Sequence, residues 1–470
     1  MRTVVYGLDG ADLELVERWE EELPNFQKLR EEGFIGELGS TKPPITMPAW
    51  MCMFSGRGPE EFGAYDFHFL DFEDYSFRVV DSSFFRGKSL IDSKEKRTIS
   101  YRVPGTTPGY RINGDMVTGF VKGEKPEIFP RELEDELRKN VDFDVRPIEG
   151  DEETKKENSV HNFKQNNRAF RWMLENREFE RVFSVFRLID TWMHNVKREE
   201  EMFEAYKEAD RALGEIIEMC EERGWNLIVV SDHGSGNTNR KLYLNAWLRE
   251  KGYTEYIEQE EKVSRRLMYH LVEKAMELGL KPVLKAGARV WRAVTGRNPK
   301  PHKSGTMEKI DWENTEAFSY LSAVSNYGAV WIHDRERFPN GTVEDREEKT
   351  GEIKRELEKE DYISNVYTNQ ELYQDGEMPD LVVEAESDVV VGPEIYTNKF
   401  HNTRAVAHNF NGLIAGLGPG LREGKKVKAE IIDLASTIEA IEGKVEVKDG
   451  RPLIEVLKDQ EVIIEEEMEV

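Results

Sequence analysis

Three aspartates follow predicted strands and form the first set of residues that could do chemistry. Asp9 follows residues 3–8, Asp190 follows residues 181–189, and Asp232 follows residues 225–230. In open α/β sheets, ligands bind beyond the carboxyl ends of the strands, so we expect these three carboxylates at one edge of a sheet. Three negative charges held together repel one another unless a cation lies among them. The pattern therefore predicts a metal site.

Histidines accompany two of these aspartates. His194 lies four residues after Asp190, and His233 directly follows Asp232. Mixed aspartate and histidine ligation suits Zn, Mn, Fe or Co better than Ca or Mg. Taken alone, an aspartate after a strand is usually a turn former or a helix cap, and a single histidine such as His408 is usually a partly buried side chain. Their recurrence at several strand ends favours a metal site over these separate explanations.

Thr46 is the candidate nucleophile, in a loop that opens with Pro43 and Pro44. Pro48 suits the first turn of a helix that we expect to run through Phe54, so Thr46 lies near its N-terminus. Backbone amides and the helix dipole favour a phosphate oxygen there. A hydroxyl becomes a good nucleophile at neutral pH only when a base or a metal lowers its pKa. Two interpretations stay open at this point, a helix cap and a nucleophile beside a metal cluster.

Alternating strands and helices must position these residues. Besides the three strands already named, strand-like runs lie at 381–383 and 413–415, and helices are predicted at about 24–32, 48–54, 168–175, 202–220 and 431–441. Strands separated by helices imply right-handed βαβ units. We therefore predict an α/β fold with a mostly parallel sheet sandwiched between helices. The catalytic core would comprise residues 1–249 and 311–470, with an irregular insertion at about 55–165 and a small helical cap at 250–310.

Composition narrows the classes of function. The 470 residues include 92 acidic and 66 basic side chains, a net charge of −26, which disfavours general nucleic-acid binding but allows a small phosphorylated substrate beside metal ions. The only two cysteines, Cys52 and Cys220, exclude a disulfide framework and a cysteine-rich zinc module. No apolar run is long enough to span a bilayer, and the first residues show no signal-peptide pattern. We expect a cytoplasmic protein without a membrane span, and the sequence does not indicate its oligomeric state.

Together these motifs resemble the alkaline phosphatase superfamily, and within it the type I phosphodiesterase/nucleotide pyrophosphatase family in its prokaryotic cytosolic branch. The residues that carry the resemblance are Gly-Leu-Asp-Gly at 7–10, Pro-Ile-Thr-Met-Pro-Ala-Trp at 44–50, Asp190 with His194, Ser-Asp-His-Gly at 231–234, and His408. Further similar stretches extend it from residue 1 to about 455. The resemblance implies an alkaline-phosphatase-like fold.

The family resemblance also implies a site with two divalent metal ions, for which zinc is favoured and manganese is the alternative. One ion would be held by Asp190, His194 and His408. The other would be held by Asp9, Asp232 and His233, with Thr46 bridging toward it as the activated nucleophile. The family reaction would then be covalent, because Thr46 attacks phosphorus, an alcohol departs and water hydrolyses the phospho-threonine.

The leading hypothesis is a metal-dependent phosphodiesterase/nucleotide pyrophosphatase-like hydrolase. The same residues could serve a phosphomutase, a phosphatase or a phosphoglycerol-type transferase of the superfamily, or a metal-binding protein without activity. The family's nucleotide pyrophosphatases place an asparagine downstream of the nucleophile, where this sequence has Tyr65 and Asp66. His68, His161 and His401 have no assigned role.

Overall fold

A computed structural model describes residues 1–119, 125–141, 143–257, 307–373, 377–396, 398–446, 448–458 and 463–465. Within these ranges no helix is both long enough and apolar enough to cross a membrane.

The strands, in chain order, are β1 Thr3–Leu8, β2 Phe34–Gly39, β3 His68–Leu70, β4 Phe77–Val79, β5 Thr98–Tyr101, β6 Gly114–Val117, β7 Ile128–Phe129, β8 Arg181–Phe186, β9 Asn226–Val230, β10 Gly234–Tyr243, β11 Ala317–Ser319, β12 Tyr327–Ile332, β13 Ile363–Thr368, β14 Leu381–Ala385, β15 Val389–Gly392, β16 Phe400–Asn409, β17 Asn411–Leu417, β18 Lys425–Glu430, β19 Lys444–Glu446 and β20 Ile463–Glu465.

The α-helices are α1 Leu13–Arg18, α2 Pro24–Glu32, α3 Thr46–Ser55, α4 Ser82–Phe85, α5 Arg131–Val141, α6 Glu152–Asn176, α7 Leu188–Met193, α8 Phe203–Arg223, α9 Leu244–Glu250, α10 Arg346–Leu357, α11 Asn369–Leu372 and α12 Asp433–Ile441.

A nine-stranded sheet forms the centre of the molecule, in the order β18-β2-β17-β9-β1-β8-β5-β6-β7. The five strands from β9 to β6 are parallel to one another, while β17 runs antiparallel to β9 and β2. Strands β1, β8 and β9 are buried along their whole length, as parallel strands covered on both faces must be. The predicted α/β fold with a mostly parallel sheet is confirmed.

Helices cover both faces of this sheet. Val4, Tyr6 and Leu8 of β1 pack in the core formed with α1, α2, α6 and α8. The alternating Val5 packs in the opposite core, formed with α3 and α12. Gly7 points to this second side, where a Cβ atom would lie only 2.6 Å from Cη2 of Trp50, so a side chain there would displace α3.

Two smaller sheets lie outside the central one. Strands β11, β12, β14 and β13 form an antiparallel four-stranded sheet, and β15, β10 and β16 form a three-stranded sheet. In the latter, β10 and β16 are antiparallel and place Ser235 opposite His408. This pairing brings the residues just before β10 next to the end of β16.

Parts of the predicted secondary structure are wrong. The region expected to be irregular, 55–165, contributes β5 and β6 to the central sheet and includes α5 and most of the 25-residue α6. The apolar periodicity of α6 is hidden because its buried face carries Asn162, Asn166 and Asn167. Strand β8 ends at Phe186 rather than at residue 189, because the chain then turns into α7.

Other predicted bounds are close to the observed ones. Helix α2 has the predicted ends, α3 begins at Thr46 rather than Pro48, and α12 begins at Asp433. The division of the core into 1–249 and 311–470 stays a prediction, and the helical cap predicted at 250–310 lies mostly outside the described residues.

Candidate functional site

The central sheet delivers the candidate residues to one edge. Asp9 follows β1, Asp232 follows β9, and α7 after β8 carries Asp190. Thr46 begins α3 after the loop that leaves β2. Because β17 runs antiparallel to β9, its first residue lies at this same edge, and His408 stands just before it on β16. The topology thus explains why residues from five parts of the chain meet.

One group of ligand-type side chains consists of Asp190, His194 and His408, here called the Asp190 group. Nε2 of His194 lies 3.0 Å from Oδ1 of Asp190. Nε2 of His408 lies 3.7 Å from the same oxygen and 3.2 Å from Nε2 of His194. Asp190 and His408 are buried, whereas His194 is exposed. The three ligand atoms of the Asp190 group all lie within 4.8 Å of one another, close enough to surround one ion.

A second group, the Asp9 group, consists of Asp9, Asp232 and His233, all fully buried. Nε2 of His233 lies 3.7 Å from Oδ1 of Asp9 and 3.4 Å from Oδ2 of Asp232. These three ligand atoms also lie within 4.8 Å of one another. The rings of His233 and His408 stack with centroids 3.6 Å apart, so the two groups are in contact.

The hydrogen bonds of both groups fit metal ligation. One oxygen from each carboxylate is buried and accepts no hydrogen bond within the described structure: Oδ1 of Asp9, Oδ1 of Asp190 and Oδ2 of Asp232. The Nδ1 atoms of His408 and His233 donate to the carbonyl oxygens of Pro44, at 2.9 Å, and Gly234, at 3.0 Å. These bonds leave each Nε2 with its lone pair directed into the cluster, the tautomer that a metal requires.

Burial and mutual repulsion shift the acid–base equilibria of this cluster. Burial and the neighbouring Asp190 raise the pKa of Asp9 to about 7, and burial with Asp9 raises that of Asp232. Burial would also raise the pKa of Asp190, but Arg187 and His194 hold it below its usual range. Burial lowers the pKa of His233 to about 4, so this imidazole is neutral at pH 7. Buried carboxyl groups whose ionisation is disfavoured, beside the neutral imidazole of His233, are the environment that a divalent cation would stabilise.

Thr46 lies beside the Asp9 group. Its side chain is buried, and Oγ1 lies 3.4 Å from Nε2 of His233. The N-cap position of α3 belongs to Ile45, and Thr46 is the first residue of the helix proper. The interpretation of Thr46 as the helix cap is therefore wrong, and its hydroxyl instead faces the cluster.

The sequence of the chain matches a known family across most of its length. Residues 3–408 match the family model described as Type I phosphodiesterase / nucleotide pyrophosphatase. The chain belongs to this family. It is therefore a hydrolase of the phosphodiesterase/nucleotide pyrophosphatase type, as its motifs predicted. No curated protein sequence matches it.

Solved structures of this family share its fold. Murine ectonucleotide pyrophosphatase / phosphodiesterase 5 is 12% identical with a TM-score of 0.57, over 97% of this chain and 100% of that one. An inactive variant of the same murine protein, in complex with AMP, gives a TM-score of 0.58 at 12% identity and the same coverage. Human ectonucleotide pyrophosphatase / phosphodiesterase 5 gives a TM-score of 0.56 at 11% identity, over 98% of this chain and 100% of that one. At this identity the likeness shows an alkaline-phosphatase-like fold.

Arg187, which belongs to none of the sequence motifs, connects the two groups. It lies between β8 and α7, with Nε 3.2 Å from Oδ2 of Asp9 and Nη2 in contact with Oδ2 of Asp190. These are the oxygens that point away from the histidines. In both Asp9 and Asp190, one carboxylate oxygen faces the cluster and the other contacts the guanidinium of Arg187. These contacts fix the orientation of both carboxylates. The position of Arg187, three residues before Asp190, was the available signal.

We expect Arg187→Gln to weaken metal binding by about 10–100-fold, the usual effect of losing an outer partner of metal ligands. The substitution leaves all candidate ligands in place but removes the cation that orients two of them. Chelator competition would measure the affinity. Arg211→Gln is a matched control, because Arg211 pairs with Glu208 and Glu215 on the exposed side of α8. Equal affinities for the two variants would contradict an orienting role.

The remaining sequence candidates lie outside the two groups. His161 on α6 is 3.6 Å from a carboxylate oxygen of Asp144, and His401 lies on β16 opposite Lys241. Asp66 is fully buried, and its carboxylate accepts hydrogen bonds from the amides of Phe67 and Ser322. Asp66 therefore joins the 55–165 region to the segment that leads into β12.

Proposed function

We propose that this phosphodiesterase-family hydrolase cleaves phosphoester bonds with two divalent cations and with Thr46 as a covalent nucleophile. The observation that carries the proposal is the position of the Thr46 hydroxyl, 3.4 Å from His233 and beside two groups of candidate metal-ligand atoms. A buried hydroxyl that does not cap its helix has no evident structural reason to lie there.

The Asp190 group would hold one cation and the Asp9 group the other, with Thr46 directed to the second. Imidazole nitrogens mixed with carboxylate oxygens favour zinc, and manganese is the alternative. When bound, two such cations would lower the pKa of the Thr46 hydroxyl and stabilise charge on the phosphoryl oxygens.

The protein's own groups account for the remaining steps. Oγ1 of Thr46 forms a bond to phosphorus while the bond from phosphorus to the leaving alcohol oxygen breaks, and the proton given up by the Thr46 hydroxyl leaves with the alcohol. Water then attacks the phospho-threonine, releases the phosphate product and regenerates the hydroxyl. The N-terminal end of the ten-residue α3 faces the same position, where its dipole favours a phosphoryl oxygen.

We propose a small phosphorylated substrate, of which nucleotides are one class. The AMP complex of the murine structural relative supports a nucleotide-type ligand. The asparagine expected downstream of the nucleophile is replaced here by Tyr65 and Asp66, and the Asp66 carboxylate is already bonded to two amides. The contacts to the substrate beyond the scissile phosphate would therefore differ from those of the nucleotide pyrophosphatases.

Phosphodiesters should turn over faster than the matching monoesters. A monoester dianion needs more positive donors around its oxygens, and the guanidinium of Arg187, which lies beside the cluster, is engaged by the carboxylates of Asp9 and Asp190. Steady-state kinetics with bis(p-nitrophenyl) phosphate and p-nitrophenyl phosphate would measure the ratio of kcat/KM. A preference of about tenfold or more for the monoester, worth about 1.4 kcal/mol, would favour a phosphatase or a phosphomutase instead.

We also propose a cytoplasmic location and a relation to the prokaryotic cytosolic branch of the family. Cys52 and Cys220 are both buried and unpaired, which suits a reducing compartment. Cell fractionation with an antibody to the full chain would test the location, and recovery from the external medium would contradict it.

A further inference from the structure

A cavity of about 100 Å³ lies beside the metal-ligand cluster, on the α6 side of the central sheet. Its walls include Arg102, Arg187 and Thr191, together with Asn162 and Asn166 from α6. Ile148, which is 39% exposed, lines it as well, so the cavity reaches the surface. A space of this size can hold several waters or one small oxyanion.

Arginine side chains line this cavity although the whole protein is strongly acidic. Two arginines line it, and its lining residues in the described part of the chain include no aspartate or glutamate. The amide groups of Asn162 and Asn166 are used in hydrogen bonds to Arg146 and to Tyr101, respectively. Arg187 is paired with Asp9 and Asp190, so Arg102 supplies the positive charge that is left for a ligand.

Arg102 has no acidic partner within the described residues. Its Nη1 donates a hydrogen bond to the carbonyl oxygen of Thr118 at 3.1 Å, and no carboxylate there lies within ion-pair distance. Burial lowers the pKa of this guanidinium, and the nearby Arg187 lowers it further. A partly buried charge with no counter-ion among the described residues is costly, so an arginine kept in this state points to a negatively charged ligand.

The backbone of Arg102 is strained as well. Its φ of +60° lies in the left-handed region that residues other than glycine rarely adopt. The surrounding structure enforces this conformation, since the amide of Arg102 donates to Val117 O at 2.7 Å on the neighbouring strand. Strain of this kind concentrates at ligand-binding and active sites.

The sheet places the two guanidinium groups together. Arg102 directly follows β5 and Arg187 directly follows β8, and these strands are parallel neighbours. Arg187 also contacts Asp9 and Asp190. The cavity and the metal-ligand cluster therefore share one side chain.

We propose that this cavity, the Arg102 cavity, binds a small oxyanion of the phosphate type. The anion would be either a second phosphate group of the substrate or a free anion. Only the first of these sources rests on the proposed function, because anion binding itself requires no turnover.

The test is calorimetric titration of inorganic phosphate into the metal-loaded full chain, with melting temperatures measured in parallel. Arg102→Asn removes the charge and introduces a residue that tolerates positive φ, so this variant should melt no lower than wild type without phosphate. Its affinity for phosphate should fall by about tenfold or more, as expected when a charge-assisted hydrogen bond is lost. Arg111→Asn removes an exposed arginine of the same region and should bind phosphate like wild type.

Equal phosphate affinity of wild type and Arg102→Asn would overturn the proposal. Arg102→Lys, which restores the charge, should recover most of the lost affinity. If both the Asn and the Lys variants fail to fold, Arg102 is a structural residue and the proposal is wrong.

Kinetics would identify the source of the anion. If Arg102→Asn raises KM only for a diester that carries a further phosphate group, the cavity holds part of the substrate. If KM is unchanged for diesters with and without that group while phosphate affinity is lost, the cavity holds a free anion. Both results support the site, and neither binding nor melting depends on whether Thr46 is the nucleophile.

Discussion

Thr46→Ala is expected to reduce turnover by on the order of 10⁴–10⁶-fold, the loss found when a covalent nucleophile is removed. The substitution deletes Oγ1 but leaves all six aspartate and histidine side chains of the two groups. Metal content should therefore stay close to that of wild type. Steady-state kinetics with an aryl phosphodiester, together with metal analysis of the same preparation, would measure both quantities.

Thr46→Ser is the matched control, since it keeps the oxygen and loses only a methyl group. It should retain substantial activity, and rapid quenching should trap a phosphorylated serine. If Thr46 served only the stability of α3, alanine would instead cost about 1 kcal/mol of folding free energy and leave the chemistry intact. An alanine variant with near-wild-type turnover would rule out the covalent mechanism.

The sequence predicts the parts of this site that follow from strand periodicity and local spacing. Apolar runs before Asp9 and Asp232 are recognisable because buried parallel strands are nearly continuous in Val, Ile and Leu. The joint occurrence of these aspartates with His194 and His233 then indicates a metal site. His408 is different, since no local pattern reveals it, and it was found only through the family resemblance. Its position depends on the pairing of β10 with β16, a contact between residues far apart in sequence.

The elements that the sequence did not predict, most of α6 and all of β5, carry polar residues in buried positions. Helix α6 buries asparagines, so its apolar periodicity is weak, and β5 has two buried polar residues, Thr98 and Ser100, in a run of four. The roles of Arg187 and Arg102 depend on which strands become neighbours in the sheet. The position of Arg187 three residues before Asp190 is a weak signal, because arginines are common, and nothing in the local sequence distinguishes Arg102.

Loss of metal should be the second large effect. We expect close to two divalent ions per chain, and chelation should abolish phosphoester hydrolysis. His408→Ala removes a candidate ligand of the Asp190 group and should lower both metal content and rate. His401→Ala is a matched control, because His401 lies on the same strand, β16, but outside both groups. Full activity in a preparation shown to be free of metal would overturn the assignment.

The dependence of metal binding on pH should follow from Asp9. In the metal-free site its pKa is raised to about 7, first by burial and then by Asp190, so a proton occupies the carboxylate as the pH falls below that value. A cation must displace this proton, and the apparent affinity should therefore decrease as the pH falls through about 7, by up to about tenfold per pH unit for each proton released. Calorimetric titration of Zn²⁺ at pH 8 and pH 6 would measure the change. Asp9→Asn cannot be protonated in this range, so its weaker binding should lose this part of the pH dependence. An equally steep dependence in that variant would show that another group of the cluster binds the proton.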